Sequence, residues 1–197
     1  MAPGHGSPRS LVTGARAHSG RGRQKTAPVA GTVVIGVGNP LLRDDGVGPA
    51  VVELLRAMAL PEVALATSLG GADELMSHWD GRALAIVVDA VRSWPAHPGR
   101  VHRLAVPRSG GERARAASSH GIDLGRAVQL AGETGRLPER LVLYAVEAAD
   151  IGDGTGLTPA VQASAERLAD EIAVVAWAAR QARVVPAGQP HLHPHLS

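Results

Sequence analysis

Residues 32–55 narrow the possible folds more than any other part of the chain. An apolar, β-branched run, Thr32-Val33-Val34-Ile35, continues through Gly36-Val37-Gly38. A loop then leads into a periodic apolar segment that carries Pro49 near its start. β-Branched side chains suit a pleated strand, and Pro in the first turn of a helix gives up an N–H that would have no partner there. A strand feeding a helix through a glycine-rich turn is the repeating step of an α/β sheet. Two adjacent carboxylates, Asp44 and Asp45, sit where the helix opens. Each reads either as a cap for that helix or as a ligand for a cation, and the local pattern allows both.

The rest of the chain repeats the alternation. Residues 62–68 alternate like a half-buried strand, and Gly70-Gly71 open a short helix ending at Trp79. Residues 83–89 form a second near-continuous apolar run that terminates in Asp89, and residues 100–106 make a weaker strand. A helix is predicted over 122–133 and a fifth strand over 140–146. A glycine-rich loop, expected to be flexible, follows over 147–156. Thr158 then supplies an N-cap and Pro159 the first position of a last helix reaching about residue 181. Continuous apolar runs belong to strands covered on both faces. The pattern predicts a three-layer α/β sandwich, a mostly parallel, twisted, five-stranded sheet with helices on both faces. With 197 residues the expectation is one such domain over 31–183. A disordered basic extension over 1–30 and a flexible His/Pro tail over 184–197 flank it.

The formal net charge is +2, but five of the twenty basic residues lie in 1–30, where there is no acid. The remainder holds fifteen basic residues against eighteen acids and is mildly acidic. With Trp79, Trp94, Tyr144 and Trp177 as the sole aromatics, a basic stripe interleaved with stacking rings is missing, which argues against a nucleic-acid partner. No apolar run approaches the ~18 residues needed to cross a bilayer, so no membrane partner is expected. Residues 1–30 show neither the apolar core of a secretory signal nor a twin-arginine pair, which makes the cytoplasm the expected location. Without cysteine, any metal must be held by nitrogen and oxygen.

In sheets of this kind ligands sit outside the carboxyl ends of the strands. Asp45 follows the first strand, Asp89 ends the third, and His120 precedes the helix after the fourth. Two carboxylates and an imidazole without thiolate suit a divalent metal such as zinc, nickel or cobalt. A plainer reading exists for each: a helix cap, an acid solvated at the sheet edge, a loop histidine. Rival motifs fail on their chemistry. After Gly36-Val37-Gly38 the third glycine of a dinucleotide fingerprint is missing, no Gly-Lys-Ser/Thr phosphate loop occurs, and no Gly-x-Ser-x-Gly elbow exposes a serine nucleophile. His191, His193 and His195 read as a solvated, Pro-interrupted end.

Assembled, these residues closely resemble the hydrogenase maturation proteases, endopeptidases that process the large subunit of nickel-iron hydrogenases. Gly36-Val37-Gly38-Asn39 with Asp44-Asp45-Gly46-Val47-Gly48 resembles the opening motif of the family, Val88-Asp89-Ala90 the second acidic motif, and Ser119-His120 with Leu124 the histidine motif. Gly156-Leu157-Thr158-Pro159 resembles the start of its final helix. The resemblance implies that Asp45, Asp89 and His120 form the catalytic and metal-contacting set. It implies that nickel arrives in the hydrogenase large-subunit precursor rather than as a resident cofactor, and that a short C-terminal extension is removed from that precursor. Asp44 is then expected to be the helix cap. Gly38, Asn39, Gly46, Gly70 and Gly71 would leave room for the substrate backbone to approach. Glu147 lacks the proline that follows it in many relatives, so no role is assigned to it. A monomer is expected. Two other functions fit the same residues, a metal-dependent peptidase with a different protein substrate and a noncatalytic chaperone that binds metal or precursor.

Overall fold

The computed structural model describes residues 29–106 and 121–184. The expectations for 1–28, for the loop 107–119 with His120, and for 185–197 lie outside the described residues. The two apolar runs become the middle of the sheet, β1 (Val29–Val37) and β3 (Arg82–Val91). A 3-10 turn (Arg43–Gly46) leads from β1 into α1 (Val47–Ala57), followed by β2 (Val63–Ser68) and α2 (Ala72–Trp79). After β3 come β4 (Val101–Val106), α3 (Gly121–Thr134), β5 (Arg140–Glu147) and the long α4 (Pro159–Val184). The strand order is β2-β1-β3-β5-β4, parallel throughout except for the antiparallel pair β4–β5. This is the mostly parallel three-layer architecture read from the pattern.

Alternation along the strands divides the core in two. Val34, Ile86, Val88, Val142 and Tyr144 face α1 and α4, packing with Val51, Leu55, Leu168 and Ile172. Val33, Ile35, Val87 and Leu143 face α2 and α3, packing with Leu75, Trp79, Leu124 and Val128. Each fully buried side chain of this size contributes about 1.5–3 kcal/mol relative to exposure.

Two glycines set how closely α1 approaches the sheet. A Cβ on Gly48 would lie 2.4 Å from the Val37 carbonyl oxygen and 2.5 Å from that of Val88, and one on Gly36 would lie 2.2 Å from the Gly48 oxygen. The first turn of α1 therefore rests directly on the backbones of β1 and β3.

A second constraint joins two loops at the same edge. Asp44 does not cap its own helix, for neither the 3-10 turn nor α1 has a side-chain cap. Its carboxylate is fully buried and reaches the segment between β5 and α4 instead. Oδ2 accepts the Ala149 N–H (2.8 Å), the Asp150 N–H (3.0 Å) and the Thr158 hydroxyl (2.9 Å), while Oδ1 accepts the Thr158 N–H (2.6 Å). Thr158 is the residue before α4, so Asp44 caps that helix in place of its own. Leu42 and Gly154 form a parallel bridge beside it, and Arg43 pairs with Asp150 at 3.1 Å. The glycine-rich segment expected to be a flexible loop is thus laced to the loop after β1. The local pattern could not show this, because the partners of Asp44 lie 105 to 114 residues away.

Gly48→Ala is expected to cost about 3 kcal/mol, since the added methyl meets backbone that cannot rotate away. A urea midpoint equal to wild type would contradict the packing. Asp44→Ala strands four donors and should cost on the order of 3 kcal/mol. Hydrogen exchange should localise the damage, with faster exchange at Ala149, Asp150 and Thr158 and unchanged protection in β3.

Candidate active site

The carboxyl ends of β1 and β3 lie side by side, with Gly36 in register with Val88. Beyond Gly36 the chain turns through Gly38, whose φ is +130° and whose α-carbon sits against the Asp45 carbonyl; a Cβ there would approach it to 1.9 Å. Asp45 is buried, and its Oδ2 accepts the Asn39 N–H at 2.7 Å. The loop folds back on itself so that the carboxylate is held at the mouth of α1, where the helix dipole favours negative charge.

Asp89 is fully buried near the end of β3, in register with Ala145 of β5. Alternation places it on the α2/α3 side, the side of Ala85 and Val87. Both acids are therefore at one sheet edge, each fixed by a strand end. Burying a carboxylate is costly unless it is bonded or coordinated, and both acids have partners within the protein.

The antiparallel direction of β4 corrects one step of the sequence argument. Val106, its last residue, pairs with Leu141 near the start of β5, so the junction after β4 begins at the opposite edge of the sheet. The far end of that connection returns to the right place. Past the C-terminus of α3, Arg136 donates from Nε to Asp80 (2.8 Å) and the Glu139 N–H bonds the Arg82 carbonyl at the start of β3. α3 therefore begins, at Gly121, on the edge that carries Asp45 and Asp89. His120 itself is not among the described residues, and among those described no three His, Asp or Glu converge in a way that could hold a metal.

A groove of about 600 Å³ opens beside the Asp45 loop. Gly38, Gly46 and Gly156 line its floor without side chains, and Leu69, Leu157 and Glu74 contribute to its walls. Leu69 is 70% exposed and Leu41 on the neighbouring loop 63%. Two charged pairs lie at its rim, Arg43 with Asp150 and Glu53 with Arg56, and Glu74 accepts the Ser68 hydroxyl at 2.6 Å. Such a surface suits an extended, largely uncharged chain. Of the glycines expected to admit a substrate, Gly38 and Gly46 line this groove. Gly70 (φ +99°) is buried behind it, where its N–H bonds Ser68, and Gly71 is exposed at the start of α2.

Glu147, to which the sequence assigns no role, is the buried last residue of β5 rather than part of a loop. It lies on the face of Asp89 and in register with Val91, two residues further along. Its pKa is lowered to about 2, first by the nearby Ser93 hydroxyl. His102 Nε2 at 2.7 Å and the His97 N–H at 2.6 Å follow, with Arg100 adding a nearby positive charge. A depressed carboxylate stabilises the fold above its ordinary value near 4.5, and that contribution is lost as pH falls toward 2. The available signal was an acid directly after an apolar strand, the same signal that marks Asp89.

The sequence profile of the hydrogenase maturation proteases matches residues 49–174. The chain is 30% identical over 142 residues to the hydrogenase 2 maturation protease of Escherichia coli strain K12, spanning 71% of this chain and 87% of that protein. Its fold superposes on the E. coli hydrogenase maturating endopeptidase HybD with a TM-score of 0.64 at 27% identity, over 77% of this chain and 93% of that one. A hydrogenase 2 maturation peptidase from Thaumarchaeota archaeon SCGC_AB-539-E09 gives 0.55 at 26% identity, over 74% and 97%. None of the helices described here is long and apolar enough to cross a membrane. This chain belongs to the hydrogenase maturation protease family and is an endopeptidase of that kind.

Proposed function

We propose that this endopeptidase removes a C-terminal extension from the large-subunit precursor of a nickel-iron hydrogenase, reading the nickel already present in that precursor through Asp45, Asp89 and His120. The observation that carries the reading is the burial of Asp45 and Asp89 at one sheet edge, beside a glycine-floored groove of about 600 Å³. His120 joins them because it directly precedes Gly121, where α3 starts on the same edge. A donor set of two carboxylates and one imidazole leaves coordination positions open for ligands that the precursor brings. Nickel is thus part of the substrate, and the contribution of this chain is to hold the scissile segment against it. The groove takes the extension, with Gly38 and Gly46 letting its backbone lie close to the Asp45 loop. One copy of the chain suffices, since every element of the edge belongs to one sheet. The reading places the reaction in the cytoplasm.

Mass spectrometry of nickel-loaded precursor after incubation with the purified protein tests the proposal. Wild type should shorten the precursor at its C-terminus, whereas Asp89→Asn and His120→Ala should reduce the rate by at least about a hundredfold. Normal trimming by both variants would remove these residues from the site, and binding without any mass loss would favour a chaperone. Equilibrium dialysis supplies a second check. Without precursor, nickel should bind weakly, with no tight stoichiometric site that Asp45→Asn or Asp89→Asn abolishes.

A further inference from the structure

Between Arg92 and Arg103 the chain contains no Asp or Glu, and within that stretch Trp94 is 96% exposed. A tryptophan standing free in solvent gains nothing from packing in its own fold. Its turn is nevertheless firmly built. Glu147 anchors it from below: Oε2 accepts the His97 N–H at 2.6 Å, Oε1 bonds His102 Nε2 at 2.7 Å, and its carbonyl accepts the Gly99 N–H at 2.8 Å. The Glu147 N–H donates in turn to the Arg100 carbonyl at 2.9 Å. From the other side the Ser164 hydroxyl of α4 donates to the Gly99 carbonyl at 2.6 Å. The turn hangs on the end of β3, five residues beyond Asp89, hence within ~17 Å of it along the chain.

We infer that this turn is a docking face for the precursor, with Trp94 as an aromatic anchor entering an apolar pocket and Arg92 and Arg100 meeting acidic residues around that pocket. The inference rests on the function proposed above, for it takes the precursor as the protein that must press against this edge. Tryptophan and arginine carry a disproportionate share of binding energy at protein interfaces, chiefly when they are held ready in the bound geometry. Arg92 is exposed, and Arg100 is exposed while pairing at 4.0 Å with the buried Glu147, so positive charge exceeds negative on the outer side of the turn and favours an acidic partner. Trp177 provides a contrast, being 62% exposed but ~27 Å along α4 from Pro159. There Arg180 pairs with Glu62 before the start of β2, at the opposite edge.

The test is steady-state trimming of nickel-loaded precursor by full-length variants. Trp94→Ala should raise KM at least about tenfold while kcat at saturation stays within twofold, and Trp94→Phe should recover part of the loss. Trp177→Ala should leave KM unchanged. Added salt should raise KM for wild type more steeply than for Arg92→Gln. An unchanged KM for Trp94→Ala, or a fall in kcat at unchanged KM, would overturn the inference. So would a concentration-dependent dimer that Trp94→Ala dissolves without altering KM, which would assign the face to a second copy of the chain. Failure of wild type to trim the precursor would instead overturn the function on which the inference rests.

Discussion

The contact between the first turn of α1 and the ends of β1 and β3 is the constraint on which this edge of the molecule depends. It exists because Gly36 and Gly48 have no side chains. With any Cβ at either position the helix would have to lift from the sheet, because the atoms it would meet are backbone. Lifting α1 would carry with it the 3-10 turn that contains Asp44 and Asp45. The distance between Asp45 and the end of β3 is therefore set by two hydrogen atoms rather than by any group that takes part in chemistry. Close backbone packing holds a site more tightly than side chains with their own rotamers could.

The same economy explains the large share of glycine around the groove. A groove that must admit a polypeptide needs floor atoms that do not project, and Gly38, Gly46 and Gly156 provide them. Loops built this way would ordinarily be soft, as glycine gives up more conformational freedom than any other residue on ordering. Here the softness is removed from outside. The Asp44 carboxylate and the Leu42–Gly154 bridge fasten the loop after β1 to the loop before α4, and the two glycine-rich segments stiffen each other.

How much of this was legible in the sequence depends on how far each signal reaches. The continuous apolar runs of β1 and β3 and the Thr158-Pro159 start of α4 are local patterns, and the structure places strands and helix where they indicate. The direction of β4 was not legible, because alternation along Val101–Val106 is the same whichever way the strand runs. That direction matters, for it sends the chain after β4 to the far edge and makes α3 the element that returns to the site. The role of Asp44 was hidden for a related reason. An acid at a helix start looks like the cap of that helix, and nothing near it in sequence reveals that its donors come from residues 149–158.

That long-range capture also separates the two adjacent acids. An ionised carboxylate offers about four lone-pair positions. Three donors converge on Asp44 Oδ2 and one on Oδ1, so the protein itself takes up most of its accepting capacity. To coordinate a metal, Asp44 would have to release the cap of α4 and the joined loops together, each loss leaving a buried donor unpaired. Glu147, the last residue of β5, is likewise engaged, by the His97 N–H and by His102 Nε2. Sequence places all four acids at strand and helix junctions. The donors that converge on Asp44 and Glu147 tie both acids to the joining of loops and turns, and the proposed chemistry rests on the position of Asp45 and Asp89 at one sheet edge.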